Sequence, residues 1–178
     1  MKIRVLISFL IAIILPTLLF GQESEENEEF RRHRFSVGIG HAHIPSELEG
    51  EGDQKRVMIP SWGLSYGFSV NERFSIGLKS DFEFANYIIE GEDNQALERK
   101  NPISLVLSFE YKVYKGLSLL AGPGVEFEKN ENLSIFIFGA AYEIEIGDRW
   151  DVFPELVYEL KGGNTGALIF AFGASFRI

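Results

Sequence analysis

From His33 onward the side chains alternate with a period of two, and the two alternating sets differ in chemical kind. Such a period belongs to strands whose two faces meet different surroundings. Over 166–178, Leu168, Phe170, Phe172, Phe176 and Ile178 share one face, while Ala167, Ala171, Gly173, Ser175 and Arg177 share the other. Over 57–70, Trp62, Leu64, Tyr66 and Phe68 oppose Ser61, Gly63, Ser65 and Gly67. Over 133–146, Phe136, Phe138, Tyr142, Ile144 and Ile146 oppose Gly139, Ala141, Glu143 and Glu145. Of the 22 aromatic residues after residue 21, 18 fall on the bulky face, and in-strand glycines 38, 40, 63, 67, 77, 122, 124, 139 and 173 all fall on the other.

The alternation divides into eight segments, at 33–44, 57–70, 73–89, 102–114, 117–128, 133–146, 149–160 and 166–178. Their connections alternate as well. Long or polar stretches (45–56, 90–101, 129–132, 161–165) take turns with the tight pairs Asn71-Glu72, Lys115-Gly116 and Gly147-Asp148. This is the rhythm of an up-and-down meander. A soluble, lipocalin-like barrel would turn its bulky face inward, but an eight-strand barrel is too narrow for so many aromatics and needs small residues to curve. The bulky face therefore meets lipid. Lipid offers no hydrogen bonds, so the sheet must close on itself. The predicted fold is all-β, a closed eight-stranded antiparallel up-and-down transmembrane β-barrel. Pro123 and Pro154 inside strands predict bulges or bends. Ser80, on the lipid face between Leu78 and Phe82, has no explanation in the pattern.

Residues 1–21 read as a secretory signal peptide: Lys2 and Arg4 precede an apolar run ending at Phe20, with Gly21 before an expected cleavage at Gln22. An uncleaved helical anchor is the alternative, although the run is shorter than the ~20 residues a span requires. Residues 22–32, rich in glutamate, read as an acidic flexible tail, and 33–178 as the barrel. The 17 basic and 26 acidic residues give a formal charge of −9, and loss of Lys2 and Arg4 with the leader makes it −11. Such a chain repels nucleic-acid phosphate, so no nucleic-acid partner is expected. No cysteine is present, which removes thiolate and zinc-thiolate chemistry.

The inward phase carries charge in two groups. Arg34, Arg73, Lys79, Lys112 and Arg177 fall toward the turn end with Glu110, Glu143, Glu145 and Asp151, and together they predict a salt-bridged interior plug. Glu83, Glu126, Glu128 and Glu159, with Glu155 slightly deeper, form an acidic mouth at the loop end. Either that mouth recruits a cation, or water and the loop bases Arg99, Lys100, Lys129 and Lys161 compensate it. His41 and His43 share one face and are candidate metal ligands, or else interfacial polar residues. They have no serine on their own face, so a hydrolytic triad finds no support. No phosphate-binding loop or paired-carboxylate pattern stands out, and no catalytic residue or cofactor is expected.

The leader, the eight segments and the closing strand GALIFAFGASFRI resemble the small eight-stranded outer-membrane barrels of Gram-negative bacteria, the OmpA/OmpX-like group. The stretch LAGPGVEFE at 120–128 is similar to the glycine-rich central strands of that group. The resemblance implies insertion into the outer membrane by the barrel-assembly machinery, which often reads a terminal aromatic residue. Here Phe176 is antepenultimate and Ile178 last. The function expected is a non-enzymatic structural or surface-interaction role. Passage or binding of a small or lipophilic solute, and an enzyme acting on outer-membrane lipid, are the alternatives.

Overall fold

The computed structural model describes residues 30–46, 55–90, 96–129, 131–162 and 165–178. The expected leader and most of the acidic tail lie outside the described residues. Runs of alternating residues between turn signals form β1 (His33–Ser46), β2 (Lys55–Ser69), β3 (Phe74–Glu83), β4 (Asn86–Glu90), β5 (Ala96–Lys100) and β6 (Ile103–Tyr114). They continue as β7 (Leu117–Phe127), β8 (Leu133–Tyr142), β9 (Ile144–Glu145), β10 (Trp150–Lys161) and β11 (Thr165–Arg177). β9 extends β8 past Glu143, and β4 and β5 pair only with each other, so the wall has eight antiparallel staves. β1 pairs with both β2 and β11, which closes the barrel and leaves it without an edge.

The wall is steeply staggered. Partner to partner from Ser36, the ladders lead through Ser65, Lys79, Val106, Gly124, Ile135 and Lys161 to Thr165. Ser36 itself pairs with Ser175, ten residues farther along β11 than Thr165. Closure with such a shift requires strands inclined by about 35–45° to the axis. It also places residues that are distant in sequence at one depth.

Ile39 (70% exposed), Phe172 (51%), Leu156 (48%) and Phe138 (47%) stand on the outer face, part of a continuous apolar belt that water would not tolerate and lipid does. The inner face is less uniformly small and charged than the alternation suggests. Ile59, Val106, Ile135, Ile137, Val157 and Ile169 are buried, and with Ala42, Ile44 and Leu133 they fill the loop-end half of the lumen.

Three local expectations are corrected. Pro123 and Pro154 produce no bulge. The register of β6 with β7 is the same on both sides of Pro123, and that of β10 with β8 and β9 the same on both sides of Pro154. A missing N–H interrupts the ladder for two residues without shifting it. The register shift lies instead between Lys112 and Tyr114, beside the turn in which Gly116 has a φ of 73°. Glycine is not confined to the inner face either, because outward-facing Gly166 lies directly beneath the Tyr158 ring, where a Cβ would collide with the phenol. The segment expected to run unbroken over 73–89 breaks at Phe84-Ala85, and β4 begins a new hairpin. At the start of the barrel, Phe30–Arg32 are held to the turn end: Arg31 donates to the Asp148 carbonyl, and Ser69 N donates to the Arg32 carbonyl at 2.7 Å. Nothing in the structure explains Ser80.

Candidate functional site

The interior charges gather into a turn-end and a loop-end cluster, the latter among the buried apolar side chains. At the turn end, Arg34 of β1 reaches across the lumen and donates to both Glu110 of β6 and Glu143 beyond β8. Lys112 Nζ lies 3.6 Å from Glu143. Arg177 Nη2 lies 2.7 Å from Asp151 Oδ1, and the Ser175 hydroxyl donates to the other Asp151 oxygen at 3.3 Å. Arg34 and Arg177 are directly opposed across the closing seam, a like-charge pairing that their separate carboxylates offset. Farther up, Lys79 Nζ donates to Glu155 at 2.5 Å.

Some of the expected members take other places. Arg73 is exposed in the β2–β3 turn and stays outside the interior cluster. Glu145 sits at the rim, 68% exposed, 3.3 Å from Arg177. Glu155, assigned to the mouth, belongs to Lys79 instead. Glu128 is part-buried beyond the end of β7.

The loop end holds the denser cluster. Lys161 Nζ is 2.5 Å from Glu126 Oε2, 3.1 Å from Glu83 Oε1 and 3.3 Å from Glu159 Oε1. It also donates to the Tyr87 hydroxyl at 2.9 Å, and that hydroxyl donates to Glu83. Arg99 completes the group through Nε to Glu126 Oε1 at 2.8 Å and Nη1 to the Glu131 carbonyl at 2.6 Å. Arg99, Lys161, Glu126 and Glu159 are each at most 2% exposed. The carboxylate oxygens of Glu83, Glu126 and Glu159 lie within 4.8 Å of one another, the spacing of a cation site. The position such a cation would take is held by the Lys161 ammonium.

Tyr87 and Arg99 come from the β4–β5 hairpin, which the sequence presented as part of a strand and a polar loop. Tyr87 and Ile89 are both buried, and Leu97 packs against the same core. Burial pushes the Tyr87 hydroxyl up from its ordinary pKa, beyond what the Lys161 charge offsets. The available signal was the alternation of Tyr87 with Ile89 and of Leu97 with Arg99 on either side of the turn-like stretch Gly91 to Gln95.

Between the clusters the open volume is small. One space of about 40 Å³ is bounded by Arg34, Glu110, Lys79, Glu155 and Phe153. Another of about 30 Å³ lies between Lys79, Asp81 and the glycines 38, 40 and 63. One water needs about 10–15 Å³, so each has room for no more than a few waters. Outside, His41 and His43 stand edge to face with ring centroids 4.8 Å apart, and among the described residues no third acidic or histidine ligand joins them.

No protein family matches the chain, and no curated protein matches it significantly. Solved structures do. The N-terminal β-barrel domain of OprF from Pseudomonas aeruginosa superposes with a TM-score of 0.53 at 10% identity, over 84% of this chain and 100% of that one. The attachment invasion locus protein Ail of Yersinia pestis gives 0.49 at 14% identity over 84% and 100%. OprG of Pseudomonas aeruginosa gives 0.48 at 12% over 86% and 99%. At these identities the likeness is one of fold, and the fold is that of the small eight-stranded outer-membrane barrels.

Proposed function

We propose that this chain is an exported, non-enzymatic outer-membrane barrel whose lumen is plugged and whose work is done at its surface. The supporting observation is the Lys161 ammonium held among three carboxylates beneath the β4–β5 hairpin. A solute entering from the loop end would have to displace Tyr87 and Arg99 and leave buried charges uncompensated, which costs several kcal/mol for each. The Arg34 cluster bars the other end, and the spaces between hold water only. An enzymatic reading gains nothing from the outer face, where Pro60, Met58, Phe170 and Leu168 are the cross-strand neighbours of His41 and His43 and none is nucleophilic. Outer-membrane lipid and, during insertion, the assembly machinery are the partners this reading requires. The acidic loops are the surface on offer to others.

Planar-bilayer recording of the refolded full chain tests the closed lumen. No steady conductance is expected. Stable, reproducible channel steps from the wild-type protein would overturn the reading and favour solute passage.

A further inference from the structure

The charges sealed beneath the β4–β5 hairpin do not balance. Among the described residues, the three carboxyl groups of Glu83, Glu126 and Glu159 meet two cations, Lys161 and Arg99. The described inward side chains of β1, β2, β6, β8 and β11 at this depth bring no further cation. They are aliphatic or carry hydroxyls, as at Ile44, Ile59, Ser104, Ile135 and Ala167. Tyr87 is a neutral phenol, and Asp81, the next inward position down β3, adds negative charge from below. Lys79, the nearest base deeper in the lumen, is already taken by Glu155.

The three carboxyl groups are not served alike. Both oxygens of Glu126 are held, one by Lys161 and the other by Arg99. Glu83 receives the Tyr87 hydroxyl as well as the Lys161 ammonium. Glu159 Oε1 lies 3.3 Å from the same ammonium, yet the atom is buried and has no hydrogen-bond partner. Left ionised, an oxygen so placed keeps the cost of its lost hydration. Protonated, the group gains a donor, and an oxygen of Glu83 and one of Glu126 lie within 4.8 Å of it. Carboxylates crowded in this way favour a shared proton over a further charge.

We infer that the mouth binds one proton at neutral pH, carried on the Glu159 carboxyl as part of the closed structure. The uncharged acid leaves two carboxylates for two cations. Loss of the proton puts a third negative charge beside Glu83 and Glu126, the residues that hold Tyr87 and Arg99, so the closed mouth weakens as pH rises. The inference rests on the closed mouth proposed above, and bilayer recording tests that closure separately, because a silent lumen is compatible with either state of Glu159.

Equilibrium urea unfolding in phosphatidylcholine vesicles, followed from acid to neutral pH, compares the wild-type protein with Glu159→Gln, an uncharged mimic of the protonated acid. In the unfolded chain a glutamate loses its proton above about pH 4.3. The folded protein keeps it, so relative to Glu159→Gln the wild type loses about tenfold in its folding equilibrium for each further pH unit. The two proteins should agree near pH 4, where both side chains are uncharged, and Glu159→Gln should be about tenfold or more the better folded at neutral pH. The infrared carbonyl band of a protonated carboxyl should be present in the wild type at neutral pH and lost in Glu159→Gln. Glu126→Gln removes a carboxylate held by two cations and should be less stable than wild type at neutral pH. Equal or lower stability of Glu159→Gln at neutral pH, failure to fold included, overturns the inference, and so does a gain in stability on Glu126→Gln in its place.

Discussion

Lys161 Nζ lies 2.5 Å from Glu126 Oε2, while Arg99 Nε holds the other oxygen of the same carboxylate at 2.8 Å. Glu126 thus joins a cation from the wall to a cation from the capping hairpin, at a depth where all three are shielded from water. Docking of the hairpin therefore adds a second counter-charge to a carboxylate that the wall already neutralises.

Removal of Lys161 should be severe. Lys161→Ala leaves Glu83, Glu126 and Glu159 facing one another without their central counter-charge, and a loss of about 3–5 kcal/mol is expected from breaking a buried pair. Equilibrium urea unfolding in lipid vesicles measures it. Added calcium should restore part of the loss in Lys161→Ala but not in Lys161→Ala/Glu126→Ala, because the emptied position has carboxylate oxygens within 4.8 Å of one another.

Tyr87 gives the mouth an alkaline limit. Its folded pKa is raised by burial, so above the ordinary tyrosine value of about 10 the unfolded chain loses a proton that the folded one retains. The stabilisation is fully present below that pH and falls as pH rises, by up to about 1.4 kcal/mol per pH unit for one proton. Tyr87→Phe should be less stable than wild type at neutral pH and should lack this one-proton slope. Parallel slopes from pH 9 to 11 in the two proteins would show that the Tyr87 hydroxyl is not buried as described.

Sidedness is open to charge insertion. Phe138 is 47% exposed on the lipid face, and Phe138→Arg should cost about 2–4 kcal/mol if it lies near the bilayer midplane. Gly139→Ala, one residue on, should fail for a different reason: a Cβ there meets the Leu156 carbonyl and Val157 backbone. Normal folding of Phe138→Arg in vesicles would be incompatible with an inside-out barrel.

Export predicts a mass. The protein extracted from membranes should begin at Gln22, without Lys2 and Arg4. Intact-mass spectrometry that finds Met1 retained would instead support an uncleaved anchor.

The wall was legible because sidedness is a local property, set by whether successive residues are phenylalanine or glycine. The pairing of interior charges was not, because depth counted along one strand ignores tilt. Lys79 meets Glu155 only because the ladders climb as they go round the barrel. Arg73 shares the inward phase on paper, yet the β2–β3 turn ends that phase before reaching it. The capping hairpin was hidden by composition, since Glu90 to Asn101 is rich in charge and amide and contains the buried Arg99. Compensation of the mouth by Arg99 and Lys161 was one of two open readings. Only the fold of that hairpin and the position of Lys161 at the loop end of β10 distinguish them.

The opposition of Arg34 and Arg177 across the seam bears on the order of assembly. Arg177 has its counter-charge, Asp151, on the neighbouring strand β10, whereas Arg34 meets Glu110 and Glu143 only once the intervening strands have curled round. A half-curled sheet therefore leaves the Arg34 guanidinium on its first edge strand without its carboxylates. Closing the barrel and neutralising Arg34 thus coincide, because its two acids lie on strands at the far side of the wall.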